Sequence, residues 1–574
     1  MNRHPTGRLT PYGDSAFLIE VADVGTAHLV ARVVAHASRT GRAPDGIEDL
    51  VTGFASVVVR IDPDGDRLEQ WEQWLADLVS RDGRGASAFG SDAPEGSGGD
   101  PEEVARTIDV PTTFDGPDLE VVASGIGCSP AEVVELLTQA ELRVAFVGFV
   151  PGFPYLTGLP PELVAVARRS TPRPSVPAGS VAVAGGFASI YPRATPGGWM
   201  LLGRTALPLF DPDAPPYALV RPGDAVRFSE IADFSRHAPT PPPPPPARPR
   251  PPLAAGGPRF VEVLDPGFLS LVVDGGRRSV AAIGIPRSGP CDRTAMRLAN
   301  RLVGNADAAA AVECTASGPT LRFEGDGHVA VVASSADAVE VRIDGHPLRT
   351  GAVAPVRSGQ TVAVGRLGVG LRAYLAVSGG FDTPETVGSR SSDLLSGLGP
   401  GPLLAGDRLG LGVPARPHGH LTPAGALSGP DRPAMVRVVA GPHAFPPFAL
   451  KGLVSGPWAV GGATNRIGIR LTSDRRRITP DPRGIPSTGM VAGAIQVPPD
   501  GNPIVLMPDH ATVGGYPVVA CVITADLPIL GQLRPGDSVV FTEVDRPTAR
   551  HAHLRSERGL AGRVAGWYPT AAGT

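Results

Sequence analysis

A run of prolines near the middle of the chain divides it in two. Residues Pro239 to Pro252 read PTPPPPPPARPRPP, and proline lacks the backbone N–H that helices and internal strands need. Such a run adopts the extended polyproline conformation, which serves either as a spacer or as a ligand for aromatic-lined peptide-binding domains. Spacing fused units is the more frequent use, so we predict two halves joined by a linker over 236–257.

A second segment of weak sequence signal divides the first half. Residues Arg81 to Glu102 are rich in Gly, Ser, Ala and acidic residues and have no hydrophobic periodicity, which predicts a disordered loop. Helical patterns at 26–38 and 68–79 precede it, together with strand-like runs, and indicate a small α+β domain. The predicted units are therefore an α+β domain over 1–105, a β-barrel over 106–235, the linker, β-barrels over 258–425 and 426–546, and a loose C-terminal tail over 547–574.

An internal recurrence supports this division. Three times a Gly-Gly-aromatic triplet is followed, about 20 to 26 residues later, by a Gly-Asp turn and an alternating strand. Chance coincidence is the alternative in a chain with 73 glycines, but the repeated order and spacing favour three related β-barrel modules. The fold class is then mainly β with an α+β N-terminal domain. The three pairs are 197–199 with 223–224, 379–381 with 406–407, and 514–516 with 536–537.

The charged residues exclude several functional classes. Lys451 is the only lysine in 574 residues, and its surroundings match no phosphate-binding loop, Ser-x-x-Lys hydrolase or Schiff-base motif. A net charge of -4 offers no general attraction for nucleic acid or an anionic membrane. Four widely spaced cysteines suggest neither a zinc site nor a disulfide framework, and no signal peptide or apolar span is visible. We therefore expect a cytoplasmic protein.

Four residues early in the second half are candidates for chemistry. Asp274 and Arg277 flank a Gly-Gly turn, where a backbone can approach a ligand closely. Asp292 opens a predicted helix that runs to Val303, and it either caps the free N–H groups there or contacts a ligand. Glu313 is a lone acid in an apolar run, which makes it either a structural anchor or an acid/base.

Further polar candidates follow along the second half. Ser389 and Arg390 lie in the hydroxyl-rich string VGSRSSD, which suits an anion, although a hydrogen-bonded loop without a ligand explains it equally well. Arg466, Gln496 and Asp509 come near the predicted ends of barrel strands, where small-molecule sites are commonly placed.

Two other features bear on anion and metal binding. Arg204, in the first half, is a candidate anion contact, although packing on an aromatic face is the more frequent role for any single arginine. Histidine pairs at 418/420 and 551/553 lack a third ligand and fall in apparently loose segments, so we predict surface histidines and no metal site.

Several longer strings resemble a known family. The first half contains YGDSAFLIEV, GFVPGFPYL, PRPSVPAGSVAVAG and YPRATPGGWMLLGRT. The second half contains GIPRSGPCDRTAMRLANRLVGN, YLAVSGGFDTPETVGSRSSD, AGAIQVPPDGNPIVL and TVGGYP. The chain thus resembles a fusion of the two halves of the Kip-type family, also called allophanate hydrolase subunit 1 and 2 domains or the B and C subunits of bacterial 5-oxoprolinase.

The resemblance implies cyclophilin-like β-barrels and a place in an enzyme complex. In the family, the B and C subunits act with a separate A subunit to open 5-oxoproline to glutamate with ATP hydrolysis. It therefore implies ATP with Mg²⁺, a cyclic amide substrate and a partner of the A type, with homo-oligomerisation left open. The candidates divide into catalytic residues (Asp274, Arg277, Asp292, Glu313, Asp509) and cofactor-binding residues (Arg390, Ser389, Arg466, Gln496, Arg204).

The sequence also departs from the family pattern at polar positions. Val273 stands where a glutamine is usual, Thr488 where a glutamate is usual, and His510 begins a string that replaces an Arg-Gln-Thr-Thr-like run. Glycine, proline and apolar positions are kept, which preserves the fold more securely than the activity. Two alternatives therefore remain: a non-catalytic regulator of the kinase-inhibitor type, and an accessory module of a biotin-dependent urea or acyl carboxylase.

Overall fold

The structure is a computed structural model. It describes residues 7–63, 67–80, 106–232, 258–414, 416–417, 420–421, 431–443, 447–479 and 484–565. The predicted disordered loop and the proline run both lie outside these ranges.

The N-terminal module is a small α+β unit. Its strands form an antiparallel sheet in the order β1-β2-β4-β3, and two amphipathic helices cover one face with Trp71 at the centre of the core. Asp23 caps the first helix by accepting the backbone N–H of Thr26 at 2.7 Å. The elements are β1 Gly7–Tyr12, β2 Ala16–Val21, α1 Val24–Arg39, β3 Ile47–Thr52, β4 Ser56–Ile61 and α2 Arg67–Ser80.

The rest of the first half is a barrel-like sheet of seven strands. An isolated bridge between Thr113 and Arg204 joins its two outer strands. The predicted capping box is present, because Ser129 and Glu132 exchange hydrogen bonds at the start of α4. The elements are β5 Thr107–Thr112, α3 Leu119–Ile126, α4 Pro130–Thr138, β6 Leu142–Val147, β7 Pro154–Thr157, α5 Pro161–Val164, β8 Arg173–Val176, β9 Ser180–Ala184, β10 Phe187–Ile190, β11 Thr195–Gly197, β12 Met200–Arg204 and β13 Ala225–Glu230.

The middle module has two sheets around one apolar core, with helix α6 packed on the outside. Its elements are β14 Phe260–Asp265, β15 Leu269–Val273, α6 Arg293–Leu302, β16 Ala311–Thr315, β17 Thr320–Glu324, β18 Gly327–Ala333, β19 Val339–Ile343, β20 His346–Leu348, β21 Val353–Val356, β22 Thr361–Leu367, β23 Arg372–Val377 and β24 Arg408–Gly410. Strand β25, His420–Leu421, follows it.

The last module is a closed barrel in the order β26-β33-β30-β31-β28-β27-β34. Its elements are β26 Ala434–Ala440, α7 Pro447–Val454, β27 Trp458–Val460, β28 Gly468–Thr472, β29 Thr488–Gly489, β30 Ala494–Gln496, β31 Ile504–Leu506, β32 Val513–Gly514, β33 Val518–Val522, α8 Leu527–Leu530 and β34 Ser538–Glu543. The mainly β class with barrel modules is thus confirmed.

The predicted recurrence is a repeated turn. In each of the three Gly-Asp pairs the glycine has a positive φ, of 94°, 87° and 90°, which a side chain would disfavour. The aspartate carboxylate then accepts the backbone N–H three residues earlier, at 2.9, 2.8 and 2.8 Å. Each turn leads directly into a strand, namely β13, β24 and β34. All three Gly-Asp pairs thus form the same turn, while the relatedness of the three modules stays a prediction.

The two halves pack against each other through a shared apolar cluster. It includes Tyr12 of the N-terminal module, Phe146 of the first barrel, and Ala281 and Met490 of the second half. Polar contacts reinforce this interface: the backbone N–H of Phe54 donates to Ser487 O at 2.7 Å, and the hydroxyls of Ser56 and Thr488 lie 2.8 Å apart. The fusion therefore folds as packed halves rather than as separated ones.

The prediction of a loose C-terminal tail over 547–574 is wrong for its described part. Helix α9, Arg546–Gly562, begins at Asp545, which caps the N–H of Thr548, and ends before β35, Val564–Ala565. Arg546 pairs with Glu72 of α2, and Glu557 pairs with Arg297 of α6. The local sequence signals this helix only weakly, because its apolar face consists mostly of alanine.

We predict that a charged side chain on the buried face of α9 destabilises the packing between the two halves. Ala552 is 5% exposed and belongs to the shared cluster, so Ala552→Glu should lower the free energy of unfolding by at least ~2 kcal/mol. The neighbouring exposed residue supplies the control, His551→Glu, which should shift the urea midpoint little. Equal effects of the two substitutions would contradict the packing described.

Candidate functional site

The centre of the second half is a buried guanidinium. Arg466, after β27, donates from Nε and Nη2 to both carboxylate oxygens of Asp509, at 2.8 and 2.9 Å. Its Nη1 donates to Glu313 Oε1 at 2.5 Å and contacts Cys291 Sγ at 3.3 Å, while Nη2 also reaches Gly289 O at 2.7 Å. These contacts use every N–H of Arg466. The cofactor-binding role given to Arg466 stays a prediction.

Glu313, on β16, is the second member of this cluster and is fully buried. Its Oε2 accepts the backbone N–H of Cys291 at 2.9 Å and the hydroxyl of Tyr374 at 2.7 Å. Burial disfavours its charge, but Arg466 and Arg372 outweigh burial and lower the pKa of Glu313. Of the two roles open to it, the contacts are those of a structural anchor.

Asp509 is the acid on the other side of Arg466. Burial raises the pKa of Asp509 to about 6, although Arg466 opposes this rise. Nearby Asp393 and Glu313 add to the rise, because one guanidinium cannot fully compensate several carboxylates. We call Arg466, Glu313, Asp509, Cys291 and Tyr374 the Arg466 cluster.

Asp292 lies next to this cluster as a helix cap. Its carboxylate accepts the N–H of Ala295 at 2.9 Å and the amide of Gln532 at 2.7 Å, and its own N–H donates to the hydroxyl of Tyr374 at 2.7 Å. In this structure Asp292 therefore acts as a helix cap. Its hydrogen bond with Gln532 also links it to the last module.

Asp274 organises a separate loop. Its carboxylate accepts the hydroxyls of Ser389 at 2.5 Å and Ser391 at 2.6 Å, and the backbone N–H of Arg390 at 2.7 Å. Arg277 is fully buried and donates to the carbonyl oxygens of Thr386 and Ser391. The structure thus brings four predicted residues together: Asp274, Arg277, Ser389 and Arg390. They form a hydrogen-bonded loop, which is one of the two alternatives that the sequence left open for VGSRSSD.

The remaining two candidates lie apart from both groups. Gln496, on β30, is buried, with its amide near Met490 Sδ at 3.2 Å and Tyr516 O at 3.4 Å. Arg204, at the end of β12, forms a half-exposed ion pair with Asp115 of the same module at 2.7 Å. The structure therefore does not assemble all ten predicted residues into one site.

A cleft between the two halves runs beside the Arg466 cluster. The interhalf cleft is lined by Glu48 and Arg60 of the N-terminal module and by Arg287, Ser288, Arg293 and His510 of the second half, among others. It has a volume of about 200 Å³. Gly289 and Cys291 bond to the Arg466 cluster, whereas Arg287 and Ser288 of the same loop line the cleft. The cluster thus supports one wall of the cleft.

An ion network joins the halves at this cleft. Glu48 Oε2 accepts from Arg60 at 2.7 Å and from Arg287, across the interface, at 2.6 Å. Burial alone would raise the pKa of Glu48, but Arg60 and Arg287 outweigh it and lower that pKa to about 2. Glu48 is therefore ionised at neutral pH, and it holds an arginine of the second half in place.

The cleft retains an excess of positive charge. Arg278 lies 4.0 Å from Glu48, but Glu48 already pairs with Arg60 and Arg287. The side chain of Arg278 is 58% exposed. Among the described residues, none pairs with the exposed guanidinium of Arg293. Arg297 differs, because Asp307 and Glu557 neutralise it. Arg278 and Arg293 are thus available to an anionic ligand.

Two polar groups in the cleft complete the site. Ser288, at a φ of 58°, is 6% exposed, and its Oγ has no hydrogen-bond partner among the described residues. His510 Nδ1 lies 2.8 Å from the carbonyl oxygen of Ala511. A carbonyl only accepts, so Nδ1 carries the proton and Nε2 is an acceptor. Burial lowers the pKa of His510 to about 4, which keeps the imidazole neutral.

Sequence reasoning missed most of the cleft. Glu48, Arg60 and Arg287 come from distant parts of the chain and meet only because the halves pack together. The signal that the sequence offers for this cleft is His510, because it departs from the expected family pattern. His553, predicted to lie at the surface, is on the buried face of α9, and His418 lies outside the described residues.

The described ranges offer neither a metal cluster nor a single membrane-spanning helix. No group of three or more His, Cys, Asp or Glu side chains there is arranged to hold a metal ion. No single helix in those ranges has the length and apolarity to cross a bilayer, and α3 and α4 meet the criteria only as a pair bent by 92°.

Removing the central guanidinium should be strongly destabilising. Arg466→Met leaves the buried Asp509 without its guanidinium partner and leaves Glu313 with only Arg372, at 3.3 Å, so we expect a loss of about 3–5 kcal/mol in the free energy of unfolding. Arg470, exposed on β28, supplies the control: Arg470→Met should change it by less than ~0.5 kcal/mol. Urea unfolding followed by intrinsic tryptophan fluorescence measures both. Combining Arg466→Met with Glu313→Gln and Asp509→Asn should restore part of the loss, and no restoration would contradict the ion-cluster account.

The contribution of Glu48 should depend on pH. Its pKa is lowered from 4.5 to about 2, so it contributes about 3 kcal/mol of stability above pH 4.5, and this falls away as the pH drops toward 2. The stability gap between wild type and Glu48→Gln should therefore narrow to about 1 kcal/mol at pH 3. Glu20→Gln, at a side chain that is 41% exposed, is the control. A gap for Glu48→Gln that is equal at pH 7 and pH 3 would contradict the ion network.

Comparison with known proteins places both halves in one family. Residues 283–543 match the model of the carboxyltransferase domain, subdomain A and B, and residues 7–220 match that of subdomain C and D. The chain is 36% identical over 304 residues to the C subunit of 5-oxoprolinase from Escherichia coli K12, covering 52% of this chain and 96% of that protein. It is 38% identical over 223 residues to the B subunit of 5-oxoprolinase from Escherichia coli O157:H7, covering 38% and 92%.

A solved structure shows the same arrangement in one chain. The crystal structure of TTHA0988 superposes with a TM-score of 0.75 at 33% identity, covering 92% of this chain and 99% of that one. The match spans both halves, so the order of the modules is shared. The chain therefore belongs to the carboxyltransferase-domain family, as a fusion of one unit homologous to the B subunit of 5-oxoprolinase with one homologous to the C subunit.

Proposed function

We propose that this chain is the fused B/C component of an ATP-dependent 5-oxoprolinase, which opens 5-oxoproline to glutamate together with a separate A subunit. The interhalf cleft carries the proposal. Its walls come from the B-type unit through Glu48 and Arg60, and from the C-type unit through Arg287 and Ser288. A site built from both units explains why the two are joined in a single chain.

The chemistry of the reaction suits this cleft. A lactam is a poor electrophile, and phosphorylating its oxygen converts that oxygen into a leaving group. Both reactants are anionic, since 5-oxoproline carries a carboxylate and ATP carries phosphates. Arginine side chains stabilise such charges without a lysine. Arg278 and Arg293 offer this at the cleft.

The fit of ATP with Mg²⁺ is supported by charge. Phosphate oxygens bind arginine forks well, and the network around Glu48 leaves more guanidinium groups than carboxylates at the cleft. Bound ATP would supply the phosphoryl group, and Mg²⁺ would enter with the phosphates. The role of the chain's own residues is to bind and orient these anions.

The decisive assay combines the purified chain with the A subunit of a 5-oxoprolinase from the same organism. We predict ATP hydrolysis that 5-oxoproline stimulates, with one glutamate formed per ATP, and activity that needs both proteins. The control is the same A subunit tested with an authentic pair of separate B and C subunits. Absence of glutamate from the fused chain, while the control pair is active, would refute the proposal.

One alternative has a specific observation behind it. The matching family models describe carboxyltransferase subdomains, which favours a role in a biotin-dependent carboxylase if the assay fails. That role predicts carboxyl transfer with a biotinylated partner protein, because this sequence has no lysine-bearing biotin attachment motif of its own. A regulator would show neither activity.

A further inference from the structure

The interhalf cleft offers a specific pattern of donors and an acceptor. Arg278 and Arg293 present positive charge that the carboxylates of the cleft do not neutralise. Ser288 Oγ adds a hydroxyl that is almost fully buried and has no partner among the described residues. Such an unpartnered hydroxyl costs free energy unless a ligand or water satisfies it. These three groups together suit a carboxylate.

An acceptor lies on the same wall. The backbone N–H of Ser288 donates to Pro508 O at 3.1 Å, and the N–H of His510 donates to Met507 O at 3.0 Å, so the segment 507–510 runs beside Ser288. Asp509 points into the Arg466 cluster, whereas its neighbour His510 lines the cleft. The Nε2 of His510 is the acceptor nitrogen, since Nδ1 donates to Ala511. A ligand N–H can therefore bind next to the anion site.

We infer that the interhalf cleft binds a small cyclic amide carboxylate, with Arg278, Arg293 and Ser288 holding the carboxylate and His510 Nε2 accepting the N–H of the amide. In 5-oxoproline the carboxylate is attached to the carbon next to the ring N–H, which matches adjacent donor and acceptor groups. The volume of about 200 Å³ is below the ~300–1,000 Å³ of pockets for drug-sized ligands. That volume suits a ligand as small as the lactam.

This inference rests on the proposed function and names its substrate-binding residues. Glu48 acts as a positioning residue here, because it fixes Arg287 across the interface and limits where Arg278 can lie. The arrangement also assigns a use to His510, whose Nδ1 proton is held by the carbonyl oxygen of Ala511. A neutral acceptor at that position can discriminate ligands by their N–H.

Calorimetric titration of the full chain with 5-oxoproline, without ATP or a partner, tests the inference. Arg278→Gln and Arg293→Gln should each weaken binding about ten-fold, the loss of one charge-assisted hydrogen bond. Arg349→Gln removes the same charge from an exposed arginine outside the cleft and should leave binding unchanged. An equal effect of all three substitutions would overturn the site, and urea unfolding of each variant verifies that the fold is intact.

Ligand analogues test each contact separately. The carboxamide of 5-oxoproline, which has no negative charge, should bind at least ten-fold more weakly. The carbocyclic analogue, with a methylene in place of the ring N–H, should also bind about ten-fold more weakly to wild type. His510→Phe should bind the lactam and this analogue equally well. A preference for the lactam that survives His510→Phe would overturn the role of His510.

Competing anions identify the class of ligand. Inorganic phosphate alone should displace 5-oxoproline only at concentrations far above its own dissociation constant, and displacement at comparable concentrations would overturn the assignment to a carboxylate. The outcomes separate this inference from the proposed function. If the wild-type chain forms glutamate but Arg278→Gln and Arg293→Gln bind 5-oxoproline as tightly as wild type, only the proposed binding site is refuted. If the chain binds 5-oxoproline through these arginines but forms no glutamate, the proposed function is refuted.

Discussion

The ion cluster around Arg466 is the interaction on which the second half depends. One guanidinium bonds to Asp509 of its own barrel, to Glu313 of the middle module and to the carbonyl of Gly289. Buried charges of this kind are costly unless every partner is present, so the two modules pack stably only with all members of the cluster in place. The cluster therefore fixes how the middle module and the last barrel meet, and with that the course of the loop around Gly289.

That loop connects the Arg466 cluster to the interface between the halves. Its inner atoms belong to the Arg466 cluster, and its outer side chains, Arg287 and Ser288, face the N-terminal module. Glu48 completes the arrangement from the other half. Two departures from the family pattern also lie at this junction, because Thr488 bonds to Ser56 and His510 lines the cleft.

The sequence predicted the parts of this structure that depend on local chemistry. The Gly-Asp turns, the capping box at Ser129 and the cap at Asp292 all rest on residues within a few positions of one another, and the structure contains them. The cleft depends on how modules far apart in sequence pack, which no local pattern encodes. Glu48 and Arg287 are 239 residues apart, and none of the ten predicted site residues lines the cleft.

The central claim is that the two halves build one ligand site between them. An experimental structure of the full chain with bound 5-oxoproline tests this most directly. The account predicts the ligand in the interhalf cleft, with its carboxylate at Arg278 and Arg293 and its N–H at His510. A ligand bound within one half alone, such as beside Arg168 and Arg169 in the groove of the first barrel, would contradict it.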